Sequence, residues 1–340
     1  MNNHRITTFS DLLHPDGTLM QKGYSTKAVM RYNRGQIKAA PWRIKEWDFY
    51  QVSNDEFCLQ LTIGHASYAG QVSVMLIDLI NKHTYFVTDM LILPFNRLNM
   101  PESAEHGDLT VSRKNIDIQF EVFTGGRRLR CKTNNPKVAH NMEIDIELVQ
   151  PDLESLVIAT PFHDNPRHFY YNHKINCMPA SGTITMGDKI ISFEPNTAFG
   201  LLDWGRGVWP FSHEWYWGNG STWVDGKRFG FNIGYGFGNT EAATENILFY
   251  NGTTHKLSQV YVDFATGGYM SPKTFTSDDS RFEMHFEPVF DRYTESKMLF
   301  VNNSCHQIFG RFTGKAVLDD GTIIEVKDMM AFMEHAVNNW

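Results

Sequence analysis

Cysteine is scarce and scattered. Cys58, Cys131, Cys177 and Cys305 lie far apart in 340 residues and show no metal-ligand spacing. A disulfide framework and a zinc ribbon are both disfavoured, and a chain of this length buries enough core to need neither. Long apolar runs are missing as well. No stretch approaches the ~18 residues of a membrane-spanning helix, and the opening Met-Asn-Asn-His-Arg-Ile6 lacks an apolar signal core. These absences lead to the expectation of a cytoplasmic protein with reduced thiols and no transmembrane segment. Basic residues are outnumbered, with 31 Lys and Arg against 38 Asp and Glu and a net charge of −7. No Lys/Arg cluster forms a basic face, so nucleic acid is not an expected partner. The densest basic run, Gly125-Gly-Arg-Arg-Leu-Arg130, reads as a hairpin turn with a charged outer face.

Catalytic motifs are equally thin. There is no Gly-x-Ser-x-Gly elbow and no catalytic-cysteine context. His163, His168 and His173 are spaced by five, which alternates them across a strand and puts them on no common helix face, so a zinc site is not expected. Gly234-Tyr-Gly-Phe-Gly238 lies inside a strand pattern with no clear helix after it, so it is not read as a phosphate-cradling loop. No metal, nucleotide or flavin cofactor is expected.

What the chain has in quantity is aromatic side chains, at 14%, and glycine, at 26 residues, a mixture suited to antiparallel sheets with tight turns. Turn dipeptides punctuate the second half: Gly187-Asp188, Asp225-Gly226, Asn251-Gly252 and the Asp319-Asp-Gly321 tripeptide, each between strand-like runs. In the first half Gly125-Gly126 is read as a two-residue hairpin turn. Within Lys227–Gly238, Phe229, Phe231, Ile233, Tyr235 and Phe237 take one parity and glycines dominate the other, which only a strand explains. The pattern predicts an all-β chain built from two antiparallel barrel-like domains. An N-terminal arm covers residues 1–40, with a helical turn near Phe9–Leu13; the first barrel covers 41–155 and the second 156–340. The division is placed within about ten residues of Asp152, because Pro151, Pro161 and Pro166 interrupt the pattern there. Asp328–Val337, with Met329, Phe332, Met333 and Ala336 at helical spacing, predicts a short C-terminal helix.

The functional question centres on Phe199-Gly-Leu-Leu-Asp-Trp-Gly-Arg-Gly-Val-Trp-Pro-Phe211 and the following Ser212-His-Glu-Trp-Tyr-Trp-Gly218. Read as a strand, Asp203, Gly205, Gly207 and Trp209 share one face, and Trp204, Arg206 and Val208 the other. The glycine gap is either filled by a neighbouring strand's aromatics or open to a ligand. Asp203 is the first candidate for a general acid and Glu245 the second, since a carboxyl group desolvated beside indoles has a raised pKa. Should Asp203 instead pair with Arg206 across a bulge, it is structural. Trp204, Trp209, His213, Trp215, Trp217, Tyr235, Phe237 and Asn246 are the candidate ligand-binding residues. Arg206, Arg281 and Arg292 are candidate structural ion-pair members. The cavity is expected between the Asp203–Trp217 stretch and the Phe229–Gly238 strand.

These residues carry a resemblance. The Phe199–Phe211 run, Gly230-Phe-Asn-Ile-Gly-Tyr-Gly-Phe-Gly238, Thr244-Glu-Asn246, Ser277-Asp-Asp-Ser-Arg281 and Leu318-Asp-Asp-Gly321 resemble a bacterial family of unknown function. So do Lys45-Glu-Trp-Asp48 and Pro15-Asp-Gly17, and the resemblance covers nearly the whole chain. More distantly, the chain is similar to the carotenoid hydratases (hydroxyneurosporene synthases). That likeness implies two lipocalin-like barrels and a carboxylic acid that protonates an alkene ahead of water addition. Three readings stand side by side. One is a cofactor-free enzyme that protonates a double bond of an isoprenoid, polyene or lipid-like molecule. The second is a non-catalytic carrier of such a molecule, and the third is a structural protein with packed barrels. A cavity separates the first two from the third, and a cavity-facing acid without a cationic partner separates the first from the second.

Overall fold

The computed structural model describes residues 3–150, 153–264, 266–298 and 301–340. Strands take 60% of the chain and helix 2%, the helix being two 3-10 turns at Arg34–Gln36 and Pro41–Arg43. In chain order the strands begin with β1 Ser10–Asp11, β2 Gly23–Ser25, β3 Met30–Arg31, β4 Lys45–Ser53, β5 Phe57–His65, β6 Ala69–Asp78, β7 His83–Ile92 and β8 Leu109–Ser112. Next come β9 Ile116–Phe123, β10 Gly126–Thr133, β11 Glu143–Val149, β12 Leu156–Pro161, β13 Phe169–Met186, β14 Lys189–Phe193, β15 Phe199–Val208 and β16 Ser212–Val224. The last are β17 Lys227–Tyr235, β18 Ile247–Tyr250, β19 Thr253–Lys256, β20 Val260–Val262, β21 Lys273–Ser277, β22 Phe282–Met298, β23 Val301–Val317 and β24 Ile323–Asn339. Among the described residues no helix is long and apolar enough to cross a membrane.

Apart from a short parallel β1–β3 pair, the strands form two curled antiparallel half-barrel sheets. The first runs β7-β6-β5-β4-β15-β13-β11-β10-β9-β8, with β12, β14 and β2 attached at its branch on β13; the second runs β19-β18-β17-β16-β24-β23-β22-β21-β20. Pro151 and Asp152 lie outside the described residues. The hydrogen-bonded sheets part at Trp209-Pro-Phe211, between β15 and β16. Pro210 has no N–H to extend a ladder, so the strand stops and the chain crosses over. The organising stretch is therefore the link between the two sheets.

Local chemistry sets the turns. Asp225 (φ 49°) and Gly226 (φ 72°), and Asn251 (φ 47°) and Gly252 (φ 96°), take the left-handed conformations of a primed hairpin turn. At the β9–β10 hairpin, Gly126 pairs with Phe123, so the turn is Thr124-Gly125, one residue earlier than the glycine pair indicates. Gly126 is needed within the strand itself, where a Cβ would lie 2.8 Å from Leu148 O and from the Phe123 ring. The basic run after it also divides. Arg128 and Arg130 point outward to Asp145 and Glu121, whereas Arg127 is buried on Tyr50 Oη and the Ala104 carbonyl.

Period-two alternation packs each half-barrel. Leu59, Leu61 and Ile63 of β5 and Val72, Val74 and Leu76 of β6 enter the first core; Phe229, Phe231 and Ile233 of β17 enter the second with Phe275, Phe286 and Phe312. The opposite faces of β5 and β6, bearing Gln60, Thr62, Ser73 and Met75, line a cavity shared with the second sheet.

Two helical expectations fail. Phe9–Leu13 contains β1, which pairs with β3. Asp328–Val337 is strand β24, hydrogen-bonded between β16 and β23. Its apolar residues simulate helical spacing because both faces are covered: Met329, Ala331 and Met333 pack into the second core, and Met330 and Phe332 pack toward the first sheet. Asp328, at φ 51° beside a register shift on β23, further breaks the two-residue period.

Candidate functional site

A cavity of about 640 Å³ separates the sheets. Its walls come from β4–β7, β12, β13 and β15 on one side and from β16, β17 and β22–β24 on the other. One end is indole-rich. Trp47 and Trp209 meet edge to face at 5.2 Å, and Phe237 lies 5.4 Å from Trp209 and 5.6 Å from Trp215. Trp340 completes this group, 5.8 Å from Trp209.

A buried charge cluster lines the same space. Antiparallel register places Lys174 of β13 directly opposite Asp203 of β15. Lys174 Nζ lies 3.0 Å from Asp203 Oδ1, 3.4 Å from Glu245 Oε2 and 4.2 Å above the Trp217 ring. Asn172 Nδ2 donates to Asp203 Oδ1 at 2.5 Å, and Asn232 Nδ2 donates to Glu245 Oε2 at 3.4 Å. One cation thus serves two carboxyl groups. Burial raises the Glu245 pKa and the Asp203 charge adds to it, against the pull of Lys174. Burial would lower the Lys174 pKa, but the two carboxylates outweigh it and hold that pKa above its ordinary value.

A third carboxyl group, Glu334 of β24, also faces the cavity. Trp215 Nε1 donates to its Oε1 at 2.8 Å and Gln307 Nε2 to its Oε2 at 3.1 Å. Gln307 in turn accepts from Gln60 of the first sheet at 2.7 Å, tying the sheets together across the cavity. Burial raises the Glu334 pKa, with the Trp215 hydrogen bond and Arg292 opposing it.

Asp203 and Arg206 do not pair. They follow the strand's alternation, and Arg206 is buried on the other face with Asp48 at 2.8 Å and Glu46 at 3.6 Å. It also donates to the Trp47 and Pro101 carbonyls and stacks 4.0 Å from the Trp204 ring. Trp204 accordingly belongs to the first core, against Tyr32 and Tyr171. The gap at Gly205 is filled: a Cβ there would lie 2.3 Å from the Trp47 ring. Asp203, Trp209, Trp215, Trp217, Tyr235, Phe237, Glu245 and Arg292 line the cavity, while Phe229 and Phe231 do not. His213 stacks on Trp215 behind that wall, and burial pushes its pKa down to about 3. Asn246 pins backbone, accepting from Gly234 N and donating to the Ser258 carbonyl. Arg281 pairs with Asp319 away from the cavity.

The residues that sequence reasoning missed are Lys174, Glu334, Trp47 and Trp340. Lys174 follows His173 in a strand with no motif, and Glu334 was hidden inside the helical reading. Trp47 stood within Lys45-Glu-Trp-Asp48, a segment singled out by resemblance and given no role. Among the described residues, no group of three or more His, Cys, Asp or Glu side chains is placed to hold a metal ion.

Two solved structures share this architecture. Kievitone hydratase from Nectria haematococca superposes with a TM-score of 0.55 at 10% identity, covering 97% of this chain and 98% of that one. An ATTH-like protein from Nitrosomonas europaea superposes with a TM-score of 0.51 at 13% identity, covering 86% of this chain and 92% of that one. At such identities the likeness is one of fold. No curated protein matches the sequence. The family described as Domain of unknown function (DUF2804) matches residues 3–340, and the chain belongs to that family.

Proposed function

We propose that the protein is a cofactor-free, hydratase-like enzyme that protonates a double bond of an apolar small molecule held between the two sheets. The observation that carries this reading is the sharing of Lys174 by two buried carboxyl groups on an indole-walled cavity. Two carboxylates and one ammonium leave an excess negative charge in a desolvated place, and the cluster relieves it by holding a proton. Glu245, with its raised pKa, carries that proton; Asp203 is the ionised partner of Lys174. The roles assigned from the sequence are thus exchanged, Glu245 acting as acid and Asp203 as the charge that keeps it protonated.

The chemistry follows from this arrangement. The Glu245 O–H proton forms a C–H bond as the alkene π bond breaks. The resulting cation lies against Trp215, able to contribute ~2 kcal/mol when desolvated, since the Trp217 ring already carries the Lys174 ammonium. Water then adds, or a neighbouring C–H proton leaves and the double bond moves. Kievitone hydratase, a hydratase by name on a similar fold, supports this reading by analogy only. The four cysteines are all free and buried, which suits a reducing compartment, so the reaction is assigned to the cytoplasm.

The carrier reading draws on one observation, the locking of Asp203 by Lys174. The test separates the two. Apolar extract of the host is incubated in deuterated water with wild type, Glu245→Gln or Asp203→Asn, and products are read by mass spectrometry. The enzyme reading expects a product with carbon-bound deuterium from wild type and none from Glu245→Gln. No deuterated product, together with an apolar compound retained unchanged in native mass spectra, would establish the carrier.

A further inference from the structure

Glu334 lies in a cross-strand row with the reacting cluster. On one face of the second sheet Gly234, Trp217, Glu334 and Gln307 occupy consecutive register positions on β17, β16, β24 and β23. Glu245 lies over the Gly234 end, where a Cβ would be 3.2 Å from its Oε2. Trp217 is therefore flanked by Glu245 on the β17 side and by Glu334 on the β24 side. Hydrogen bonds from Trp215 and Gln307 fix both Glu334 oxygens. The charged and titratable groups facing it are Arg292 of β22, Cys305 of β23 and Asp203 across the cavity. Among the described residues, no lysine, arginine or histidine forms an ion pair with it, in contrast to Asp203 and Glu245.

We infer that Glu334 is the general base of the proposed reaction, accepting the proton of the water that adds to a cation formed beside Trp215. The inference rests on the reading of the cavity as a double-bond-protonating site and adds its second proton-transfer group. Glu245 gives its proton to one alkene carbon, water oxygen bonds to the other, and the Glu334 carboxylate takes the proton that this water loses. Glu245 ends ionised and Glu334 protonated, and exchange of one proton with solvent restores both. Hydrogen bonds from Trp215 and Gln307 and the Arg292 charge favour the ionised form of Glu334, whereas the Asp203 charge favours the protonated form of Glu245. Burial then makes the Glu334 carboxylate a stronger base than an exposed one, and its two anchors prevent it from swinging out to pair with solvent. A residue serving only to orient Trp215 would need the hydrogen bond but not the negative charge.

Charge is therefore what the experiment reads. The probes are a naphthylmethyl dimethylamine, cationic at neutral pH like the intermediate, and isobutylnaphthalene, its uncharged isostere; binding is followed by tryptophan fluorescence. Wild type is expected to prefer the amine by about tenfold or more. Glu334→Gln should erase that preference and leave the hydrocarbon affinity unchanged, and Glu334→Asp should retain part of it. Preference undiminished in Glu334→Gln, no preference in wild type, or equal loss of both probes would overturn the assignment. Should Glu334→Gln fail to fold, wild type is titrated with acid. The amine preference must then vanish above the ordinary carboxylate range while hydrocarbon binding persists, and a preference that survives into that range overturns it. Failure of the proton-donor reading, seen in deuterium incorporation, is thus distinct from failure of the base assignment.

Discussion

Methionine in place of Lys174 keeps the length of the side chain and its packing over the Trp217 ring while removing the cation shared by Asp203 and Glu245. The Lys174 side chain is 3% exposed, and those of Asp203 and Glu245 are 11% and 15% exposed, so water replaces little of what is lost. Breaking a buried pair by deleting one partner costs ~3–5 kcal/mol, a large share of the ~5–15 kcal/mol that stabilises an ordinary domain. The pH dependence identifies the cause. Glu245 already has a raised pKa in the native chain, and without Lys174 it is pushed higher still. The folded variant then binds more protons than the unfolded chain between the ordinary carboxylate pKa and the raised one. Its stability falls as pH rises through that window and recovers on acidification. Urea unfolding followed by tryptophan fluorescence, at neutral and mildly acidic pH, measures both effects. Asp203→Asn serves as the control, because it leaves Lys174 facing Glu245 one to one and should cost only about 1 kcal/mol. A Lys174→Met loss below about 1 kcal/mol, or one of equal size at both pH values, would refute the shared-cation account.

Arg206→Met should destabilise by ~3–5 kcal/mol in the same assay, since it strands the buried Asp48, whereas Glu46 keeps Arg34, His65 and Tyr32. Deuterium incorporation, if wild type shows any, should fall no further than the folded fraction does. Lys45 lies over the Trp209 and Trp340 rings, and burial, with the Arg43 charge adding, brings its pKa from 10.5 down to about 6. Across that window the unfolded chain binds more protons at this site than the folded one, so Lys45 alone should make stability rise with pH by up to ~1.4 kcal/mol per unit. Lys45→Met should remove this contribution, leave the similar one from Lys256, whose pKa burial lowers to about 7, and be the more stable protein at neutral pH.

Features set by neighbouring residues were legible in the sequence. Asp225-Gly226 and Asn251-Gly252 fix their hairpins because only left-handed conformations close a two-residue turn, and those residues adopt them readily. The alternation of Phe229, Phe231 and Ile233 against glycine and asparagine gave both the strand and its buried face. The parity of the Asp203 stretch held too, with Trp204 and Arg206 turned into the first core and Asp203 and Trp209 toward the cavity. Period failed in β24, where packing on both faces and the irregularity at Asp328 imitate a helical stripe. Glu334 was lost with it. The pairing of Asp203 with Lys174 was not legible, because antiparallel register sets it and neither residue has a local signature.

Glycine shows where the limit lies. A glycine in a strand announces that something large stands over it, and the sequence does not say what. At Gly205 the occupant is the Trp47 ring, and at Gly207 it is the Phe169 carbonyl, 2.2 Å from where a Cβ would be. Both are packing. At Gly234 the occupant is the carboxyl group of Glu245, which comes from beyond the strand's end and is held there by Lys174 and Asn232. Three similar gaps therefore have different meanings. The one that houses an ionisable group is the one that lines the cavity, next to the Trp217 indole that the Lys174 ammonium covers. The pairing of strands, rather than the spacing of residues, turned one structural glycine into part of a candidate active site.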